Sequence, residues 1–451
     1  TVSKRCLSVL LSCLAAGSSD TLIVHTGTYA ENVLITKSGT SAAAPLTIKV
    51  ATSEIVTIQS PSGEYFGTKF LGAVDVVFDG FIIDMSVAHS GSNGLFICGS
   101  DVQCGGLASS RIVVQNVEIK SVNGDPQGSS GVKTNPGSNG NTFKNMRIHD
   151  FINSNLYDIG FYISSNNNLI EHSEIFNVAG GGIQLYGNGF SVDGNVIRYN
   201  VIRNICGISS SPPNNFHAVV FSWGSFNAFY NNLVYNNTGP VSGVCEGIDL
   251  YSANNTFYGN TVGILIESTV RRAIVKNNIS YNNASNDLVD AAPDTTLANN
   301  RTTNPSFVAV GSANFNLASG SAAINGGVVI TDGTIYNSIY NGSAPDQGAL
   351  EAPIELSASV ENATPSQLNV FWQNNPFPPM QLCTAANFVV TVAGSARSAS
   401  TTCNIVGSNQ TNLDIPGAAV TSGQTVTFAY TVGALSDSSA IGGISWVNKN
   451  G

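Results

Sequence analysis

Four ionisable side chains in the middle of the sequence have the types needed for acid–base chemistry: Lys133, His217, Glu246 and Asp249. An amine or an imidazole can remove a proton, and a carboxylate can orient an imidazole. His217 and Glu246 each stand just before an apolar strand residue, so stacking of the two segments would make them an acid–base pair. The alternative is a turn histidine that is hydrogen-bonded to its neighbour.

These residues lie within or beside a pattern that occurs six times between residues 131 and 282. Each repeat offers a short strand after Gly or Ala, a polar turn, and further strands punctuated by Asn. The repeats read GVKT with NTFKNMRIHD (131–150), GFYI with NLIEHSEIFN (160–177), GIQL with NVIRYNVIRN (182–204), AVVF with NAFYNNLVYN (218–236), GIDL with NTFYGNTV (247–262) and AIVKNNISYN (273–282).

The spacing within each repeat predicts a solenoid of stacked β-coils. An apolar pair such as Ile183 and Leu185 has the two-residue period of a strand that buries one face. One coil cannot bury that face alone, whereas coils stacked about 4.8 Å apart can. Asn columns at the turns can pass amide hydrogen bonds between coils, which is a structural role. We predict one column with Asn141, Asn168, Asn195, Asn227 and Asn255, and another with Asn200, Asn232, Asn260 and Asn278.

Registering the repeats predicts two outward-facing columns, with neighbouring members about 5 Å apart. The first holds Lys133, Tyr162, Gln184, Val220 and Asp249, and the second holds Asn135, Ser164, Tyr186, Ser222 and Tyr251. Tyr162, Tyr186 and Tyr251, with Trp223 nearby, could stack on sugar rings, and Gln184 and Asp249 could accept sugar hydroxyls. The alternative is an ordinary exposed sheet face, where Tyr is common.

Composition narrows the possible partners. The chain has 451 residues, of which 42% are hydrophobic and 10% charged, and its net charge is −10. This balance argues against nucleic acid or an anionic membrane surface as a partner. It also disfavours an anionic polysaccharide unless a local basic patch exists, and the sequence has no basic run. After the N-terminus, no segment is long and apolar enough to span a membrane.

The eight cysteines lack the C-x-x-C pairs of a zinc site. We predict the disulfides Cys98–Cys104, Cys206–Cys245 and Cys383–Cys403, which indicate an oxidising, extracellular location. Cys6 and Cys13 would lie about 10 Å apart on one helix, too far to bond each other. They are therefore free core thiols or pair elsewhere. No cofactor or metal is predicted, although the oxygen-rich turns leave calcium open.

The sequence resembles the right-handed parallel β-helix proteins of the pectate-lyase-like superfamily over residues 1–352. The resemblance rests on DTLIVHTGTYAENVLI (20–35), SGTSAAAPLTIKV (38–50) and VVFDGFIID (76–84), and at the end on NFNLASGSAAINGG (314–327) and PDQGALE (345–351). It implies an all-β solenoid. The superfamily includes polysaccharide lyases, hydrolases, epimerases and adhesins, so the fold alone does not fix the activity.

The two ends of the chain differ from the repeats. Residues 1–16 fit either a secretory signal peptide or, as the resemblance implies, a helix that caps the first coil. After residue 352 the Asn rhythm stops, and alternating runs predict an antiparallel Ig-like β-sandwich over residues 353–451. The segment SGQTVTFAYTVGALSD (422–437) resembles bacterial Ig-like repeats of secreted and cell-surface proteins.

The resemblance also implies where a substrate would bind, namely along the first outward column. A lyase there needs a base, for which Lys133 is suited, and a cation to stabilise the developing charge. The acidic calcium ligands of some relatives are represented by Asp249, with Asp158 at the margin. Where other relatives have Arg beside Lys, the next coil has Tyr162.

Other signatures of the superfamily are missing from the sequence. Arg198 and Arg203 fall on other strands, and the paired aspartates, Gly-His-Gly and Arg-Ile-Lys motifs of the galacturonases are absent. These differences favour an extracellular or cell-surface structural or adhesive protein that self-associates into filaments or binds polysaccharide. The alternative is a secreted polysaccharide lyase or glycoside hydrolase that acts on the outward face.

Overall fold

The computed structural model describes residues 7, 11, 17 and 19–352 except 64, 89–90, 122–128, 153–157, 188, 206–216, 223, 238–249, 319, 331–339 and 341–342, and beyond 352 the strands given below. The chain divides into two compact units, residues 1–304 and 305–451. The predicted domain boundary after residue 352 stays a prediction.

Three parallel sheets form the first unit, and the chain visits them in turn. Sheet 1 has eleven strands: β1 (Thr21–Val24), β4 (Leu46–Val50), β7 (Val74–Asp79), β10 (Ser110–Gln115), β13 (Thr142–Lys144), β16 (Leu169–Glu171), β19 (Val196–Arg198), β22 (Ala228–Tyr230), β24 (Tyr251–Ala253), β27 (Ile274–Lys276) and β30 (Thr296–Ala298). Sheet 2 has ten: β2 (Gly27–Tyr29), β5 (Val56–Gln59), β8 (Ile82–Asp84), β11 (Glu118–Lys120), β14 (Arg147–Phe151), β17 (Glu174–Val178), β20 (Val201–Ile205), β23 (Leu233–Tyr235), β25 (Thr256–Tyr258) and β28 (Ile279–Tyr281).

Sheet 3 has seven strands and completes each coil: β3 (Val33–Ile35), β6 (Phe66–Phe70), β9 (Asn93–Ile97), β12 (Ser130–Thr134), β15 (Ile159–Ile163), β18 (Gly181–Tyr186) and β21 (Val219–Ser222). Two later strands, β26 (Val262–Ile266) and β29 (Asn286–Asp290), pair separately in parallel. A 3₁₀ helix spans Val102–Cys104. This architecture is the predicted parallel β-helix.

The core is made of aliphatic and aromatic side chains that stack on themselves from coil to coil. In sheet 2, Ile83, Ile119, Ile148, Ile175 and Ile202 are in register and fully buried. Parallel stacking places like on like, because each strand pairs with its equivalent in the next coil. Leu7 and Leu11 join this core. The rest of the predicted cap, including Cys6 and Cys13, lies outside the described residues, so the cap stays a prediction.

Asn side chains fix the register at the turns, as predicted, but in three ladders. In the first ladder, Asn168 Nδ2 donates to Asn195 Oδ1 at 2.8 Å, and the Asn168 backbone N–H donates to the same oxygen at 2.9 Å. The ladders consist of Asn141, Asn168, Asn195 and Asn227; of Asn200, Asn232, Asn255, Asn278 and Asn300; and of Asn237, Asn260 and Asn283.

Two predicted ladder positions are therefore wrong. Asn255 was placed after Asn227, but its Oδ1 accepts from Asn232 Nδ2 at 3.1 Å, at the turn between sheets 1 and 2. Asn260 was placed with Asn278, but its Oδ1 accepts from Asn237 Nδ2 at 2.9 Å. Asn occurs at more than one corner of a coil. In a coil that lacks Asn at one corner, the next Asn in the sequence is therefore assigned to the wrong corner, and the predicted strands shift by one.

Unit 2 contains an antiparallel pair, β31 (Phe307–Ala309) and β32 (Asn314–Leu317), joined by a 3₁₀ helix at Val310–Ser312. Eight further strands form two four-stranded antiparallel sheets: β33 (Ser357–Val360), β34 (Gln367–Phe371), β38 (Gln410–Asp414) and β37 (Cys403–Val406); and β36 (Ser395–Arg397), β35 (Phe388–Val392), β39 (Val426–Tyr430) and β40 (Trp446–Val447). Antiparallel pairing agrees with the sequence pattern, while the Ig-like assignment stays a prediction.

A column of glycines lies near the start of five sheet 3 strands, β6, β9, β12, β15 and β18. A Cβ on Gly160 would lie 2.5 Å from the Gly182 carbonyl oxygen and 2.7 Å from Ile175 Cγ2. Side chains cannot be accommodated at that distance, so the absence of a side chain lets sheet 3 pack closely against the isoleucine stack of sheet 2. The column contains Gly67, Gly94, Gly131, Gly160 and Gly182.

We therefore expect Gly160→Ala to destabilise the protein by about 1–3 kcal/mol, since overpacking forces backbone and core to shift. Urea unfolding of both proteins measures the difference. Gly181→Ala is the matched control, because a Cβ there would find its nearest neighbour, the His217 carbonyl oxygen, at 3.6 Å. Equal stabilities of the two variants would contradict the close-packing explanation.

Candidate functional site

The outward column of sheet 3 brings two lysines and two aromatic rings into one line. Lys69, Phe96, Lys133 and Tyr162 occupy equivalent positions on β6, β9, β12 and β15. Lys69 Nζ lies 5.2 Å from the centroid of the Phe96 ring, and Lys133 Nζ lies 5.7 Å from the same centroid and 5.8 Å from that of Tyr162. The column thus alternates ammonium groups and rings at cation–π distances.

Beyond Tyr162 the column continues with Gln184 and Val220, as the sequence register predicted. Two residues further along the strands, Tyr186 pairs in register with Ser222, and the Tyr186 ring lies 6.2 Å from that of Tyr162. Burial, followed by the influence of Tyr186, raises the pKa of Tyr162, so the Tyr162 phenol is held in the protonated, donor form.

The surroundings of Lys133 also change its pKa. Burial lowers its pKa from the ordinary 10.5, and the carboxylate of Asp101 partly offsets this by raising it. A less hydrated amine between two rings is easier to deprotonate, which is a property of a catalytic base. Asp101 accepts a hydrogen bond from the Asn135 side-chain amide on the neighbouring coil.

The other two sheets treat outward cations differently. On sheet 1, Arg198 Nη2 lies 2.7 Å from Glu171 Oε2, and on sheet 2, Arg203 Nη2 lies 2.8 Å from Glu174 Oε1. These are ion pairs that run along the coils and hold the faces together. Ring contact is common to all three sheets, since Arg203 Cζ lies 4.2 Å from the centroid of Phe176. The difference lies in the carboxylates: within the described residues, neither Lys69 nor Lys133 forms a salt bridge, which leaves a positive face able to attract an anion.

His149 is a second acid–base constellation that the sequence did not reveal. On β14, its Nε2 lies 3.2 Å from Glu118 Oε1 and its Nδ1 lies 2.8 Å from Asp150 Oδ2, while its ring stacks on Phe176 at 4.7 Å. Both ring nitrogens are thus engaged by carboxylates on sheet 2. The arrangement fixes the ring between coils rather than presenting it to a ligand.

The remaining predicted site residues have three different outcomes. His217 is 8% exposed, and its carbonyl oxygen accepts from the Gly182 N–H at 3.4 Å. Glu246, Asp249 and Trp223 lie outside the described residues, so the His217–Glu246 pair stays untested. The placement of Tyr251 was wrong: it lies on β24 in sheet 1, paired with Ala228 and Ile274. The cause is the one-strand phase error that misplaced Asn255.

The structure tests one of the three predicted disulfides. Cys98 and Cys104 are bonded, as predicted, and are buried with Phe96. Cys206, Cys245 and Cys383 are outside the described residues, and Cys403 is described only as part of β37, so the other two pairings stay predictions.

Calcium does not fit the site as far as it is described. Calcium takes six to eight oxygen ligands. Around Lys133 the structure places one carboxylate, Asp101, which already bonds Asn135 and the Cys104 N–H. Over the described ranges, no three His, Cys, Asp or Glu side chains form a group that could hold a metal ion.

Lys69, Phe96 and Asp101 are the site residues that sequence reasoning missed. FGTKF (66–70) and NGLFI (93–97) carry the same Gly-x-outward-residue pattern as GVKT, and extending the register two coils towards the N-terminus would have found Lys69 and Phe96. Asp101 lies in the loop that follows β9, outside the repeating strands, so no sequence signal links it to Asn135.

The lysine environment gives a pH-dependent prediction. Below the lowered pKa of Lys133, folded and unfolded chains both bind the proton, and the cost of burying the charge is fully present. Between the lowered pKa and 10.5, the folded chain has lost this proton while the unfolded chain still holds it. The cost of burying the ammonium charge therefore disappears as pH rises through this range.

We therefore expect Lys133→Met to be more stable than the wild type at neutral pH, with an advantage that shrinks as pH rises towards 10.5. Lys133→Arg stays charged and should lose stability relative to the wild type over the same range. Urea unfolding at a series of pH values measures both. A pH-independent difference for both variants would show that burial does not lower the pKa.

Comparison with solved structures finds proteins of similar fold. Pectate lyase Pel9A superposes with a TM-score of 0.59 at 17% identity, over 77% of this chain and 90% of that one. A rhamnogalacturonan lyase gives 0.45 at 12% (66% and 84% covered), and an alginate lyase from Paenibacillus sp. str. FPU-7 gives 0.42 at 15% (65% and 94%). No family model and no curated sequence matches.

In the described part of the chain, no helix is both long and apolar enough to cross a membrane.

At the sequence identities found with the solved structures, the likeness concerns the fold alone. The chain is a parallel β-helix with the same architecture as a pectate lyase.

Proposed function

We propose that this protein is an extracellular polysaccharide lyase that binds a uronate-containing polysaccharide along the outward face of sheet 3, with Lys133 as the catalytic base. The observation that carries the proposal is the alternating line of Lys69, Phe96, Lys133 and Tyr162. The pectate lyase fold and the buried Cys98–Cys104 disulfide, typical of oxidising compartments, support it.

Charge selects the class of polysaccharide. The chain carries a net charge of −10, which repels an anionic polymer at long range. On sheet 3, however, the ammonium groups of Lys69 and Lys133 flank one ring and lie no more than about 11 Å apart. Two cations this close on one face complement carboxylates of the same chain. A neutral polysaccharide would offer no carboxylate to Lys69, and on the protein side Asp101 acts electrostatically on Lys133.

Shape selects the direction of the bound chain. Successive coils are about 4.8 Å apart, a distance comparable to one sugar ring, so a polysaccharide lying across the strands would meet one outward residue per coil. Tyr162 and Tyr186 are half-buried and offer rings on which sugar faces can stack, whereas Phe96 is buried between the lysines and the disulfide. Gln184, on the coil next to Tyr162, can donate hydrogen bonds to sugar hydroxyls and accept hydrogen bonds from them.

The reaction that suits this arrangement is β-elimination. Neutral Lys133 removes the proton on the sugar carbon beside the carboxylate, and the C–H electron pair forms a carbon–carbon double bond. The glycosidic C–O bond breaks, and the departing sugar oxygen takes up a proton. The negative charge that develops on the carboxylate is stabilised by the Lys69 ammonium on the same column and by the donor phenols of Tyr162 and Tyr186.

The adhesive or filament-forming role expected from the sequence receives no support from the comparisons. The lysine and ring column gives a specific reason to prefer ligand binding on sheet 3. Extracellular location and polysaccharide as partner remain part of the proposal.

The test is cleavage of polygalacturonate and alginate, followed by the ultraviolet absorbance of the unsaturated product. Lys133→Met should lower kcat by about 100-fold or more, the usual contribution of a general base. Lys69→Met should mainly raise KM through loss of carboxylate binding. Lys276→Met, on sheet 1, is the matched control and should change neither constant.

Two results would overturn the proposal. One is cleavage that survives Lys133→Met at the wild-type rate while the variant remains folded. The other is the absence of both binding and cleavage across the acidic polysaccharides, with binding to neutral ones retained.

A further inference from the structure

A disulfide-closed loop stands beside the lysine column. The loop leaves β9 directly after Phe96 and Ile97, and the Cys98–Cys104 bond closes it. Both cysteines are buried, at 0% and 3% exposure, in a cluster with Phe96. The Ser100 N–H also donates to the Pro136 carbonyl on the next coil at 2.9 Å. The loop is thus fixed to the site at its base and to the strand that carries Lys133.

Asp101 is the charged residue at the tip of this loop, and both of its carboxylate oxygens are engaged. Oδ1 accepts from the Cys104 N–H at 3.0 Å, which caps the short 3₁₀ helix, and Oδ2 accepts from the Asn135 side-chain amide. Asn135 is 6% exposed and follows Lys133 by two residues, so both side chains are on the same side of the chain. The position of the negative charge is therefore fixed relative to Lys133.

Within the described residues, charged and phenolic side chains from several elements surround Lys133. Lys69 on β6 adds a like charge across Phe96, and Tyr162 on β15 and Tyr186 on β18 add phenol groups. Asp101 is the anion among these groups, and it raises the pKa of Lys133 against the lowering effect of burial. No aspartate or glutamate on the strands of sheet 3 offers the same charge.

We propose that Asp101, held by the Cys98–Cys104 loop, is a positioning residue that fixes the direction and protonation of the Lys133 side chain. It acts through electrostatic attraction and the Asn135 hydrogen bond and does not contact the reacting atoms. In the cleavage reaction, which rests on the proposed function, neutral Lys133 takes the proton from the sugar carbon, and the Asp101 carboxylate stabilises the ammonium group that forms. This ammonium group then gives the proton to the departing sugar oxygen, which returns Lys133 to its neutral form.

The test measures Lys133 directly and needs no activity. The full-length protein is labelled with acetic anhydride over a range of pH, and the extent of modification of Lys133 is read by peptide mass spectrometry. Asp101→Asn keeps the side-chain shape and removes the charge. It should move the midpoint of the Lys133 labelling curve to lower pH by about one pH unit. Asp79→Asn, on sheet 1, makes the same change in net charge and should leave the midpoint in place.

A double-mutant cycle separates positioning from fold stability. Cys98→Ala/Cys104→Ala opens the loop and should move the midpoint in the same direction. Adding Asp101→Asn to the opened loop should then have less effect than in the wild type, because the charge is no longer held in place. Fully additive shifts would show that the loop does not position Asp101. An unchanged midpoint in Asp101→Asn would overturn the proposal even if the cysteine variant failed to fold.

The two proposals fail separately. If Asp101→Asn moves the labelling midpoint but no acidic polysaccharide is cleaved, the lyase proposal is wrong and the electrostatic coupling stands. If cleavage requires Lys133 but its pH profile and labelling are the same in Asp101→Asn, the coupling is wrong and the lyase proposal stands.

Discussion

The register between neighbouring coils is the constraint on which the rest of the structure depends. Within a ladder, as at Asn195, one side-chain oxygen accepts from both the backbone N–H and the side-chain amide of the Asn in the preceding coil. A slip of one residue would break both bonds and turn every core side chain outward. The ladders therefore fix which residues share a column, and a column on one face is what brings Lys69, Phe96, Lys133 and Tyr162 together.

The same register produces different chemistry on different faces. Where oppositely charged side chains occupy neighbouring coils, as with Glu171 and Arg198, the column becomes an ion pair that serves stability. Where rings occupy the places beside lysines, the charge stays available and partly dehydrated. Placing an ammonium group there costs stability, which is the usual trade at sites that bind or react. The glycine column behind this face permits the close packing that keeps it rigid.

Much of the fold followed from the sequence, because a two-residue period and Asn at turns both have simple physical causes. The first outward column was predicted correctly from Lys133 to Val220. Tyr251 was misplaced because Leu250, not Asn, precedes β24, so the next Asn was assigned to the wrong corner. The role of Asp101 depends on a disulfide loop and on a contact between coils, which no local pattern encodes. Likewise, the absence of a basic run in sequence concealed two lysines that stacking brings to one ring.

The most direct measurement of the central claim is a crystal structure of the Lys133→Met variant with a uronate oligosaccharide bound. We predict a sugar chain that runs across the strands of sheet 3, with one carboxylate at Lys69, a sugar ring stacked on Tyr162, and the carbon beside a carboxylate facing position 133. An oligosaccharide bound on sheet 1 or sheet 2, or on sheet 3 with its carboxylates turned away from Lys69, would contradict it.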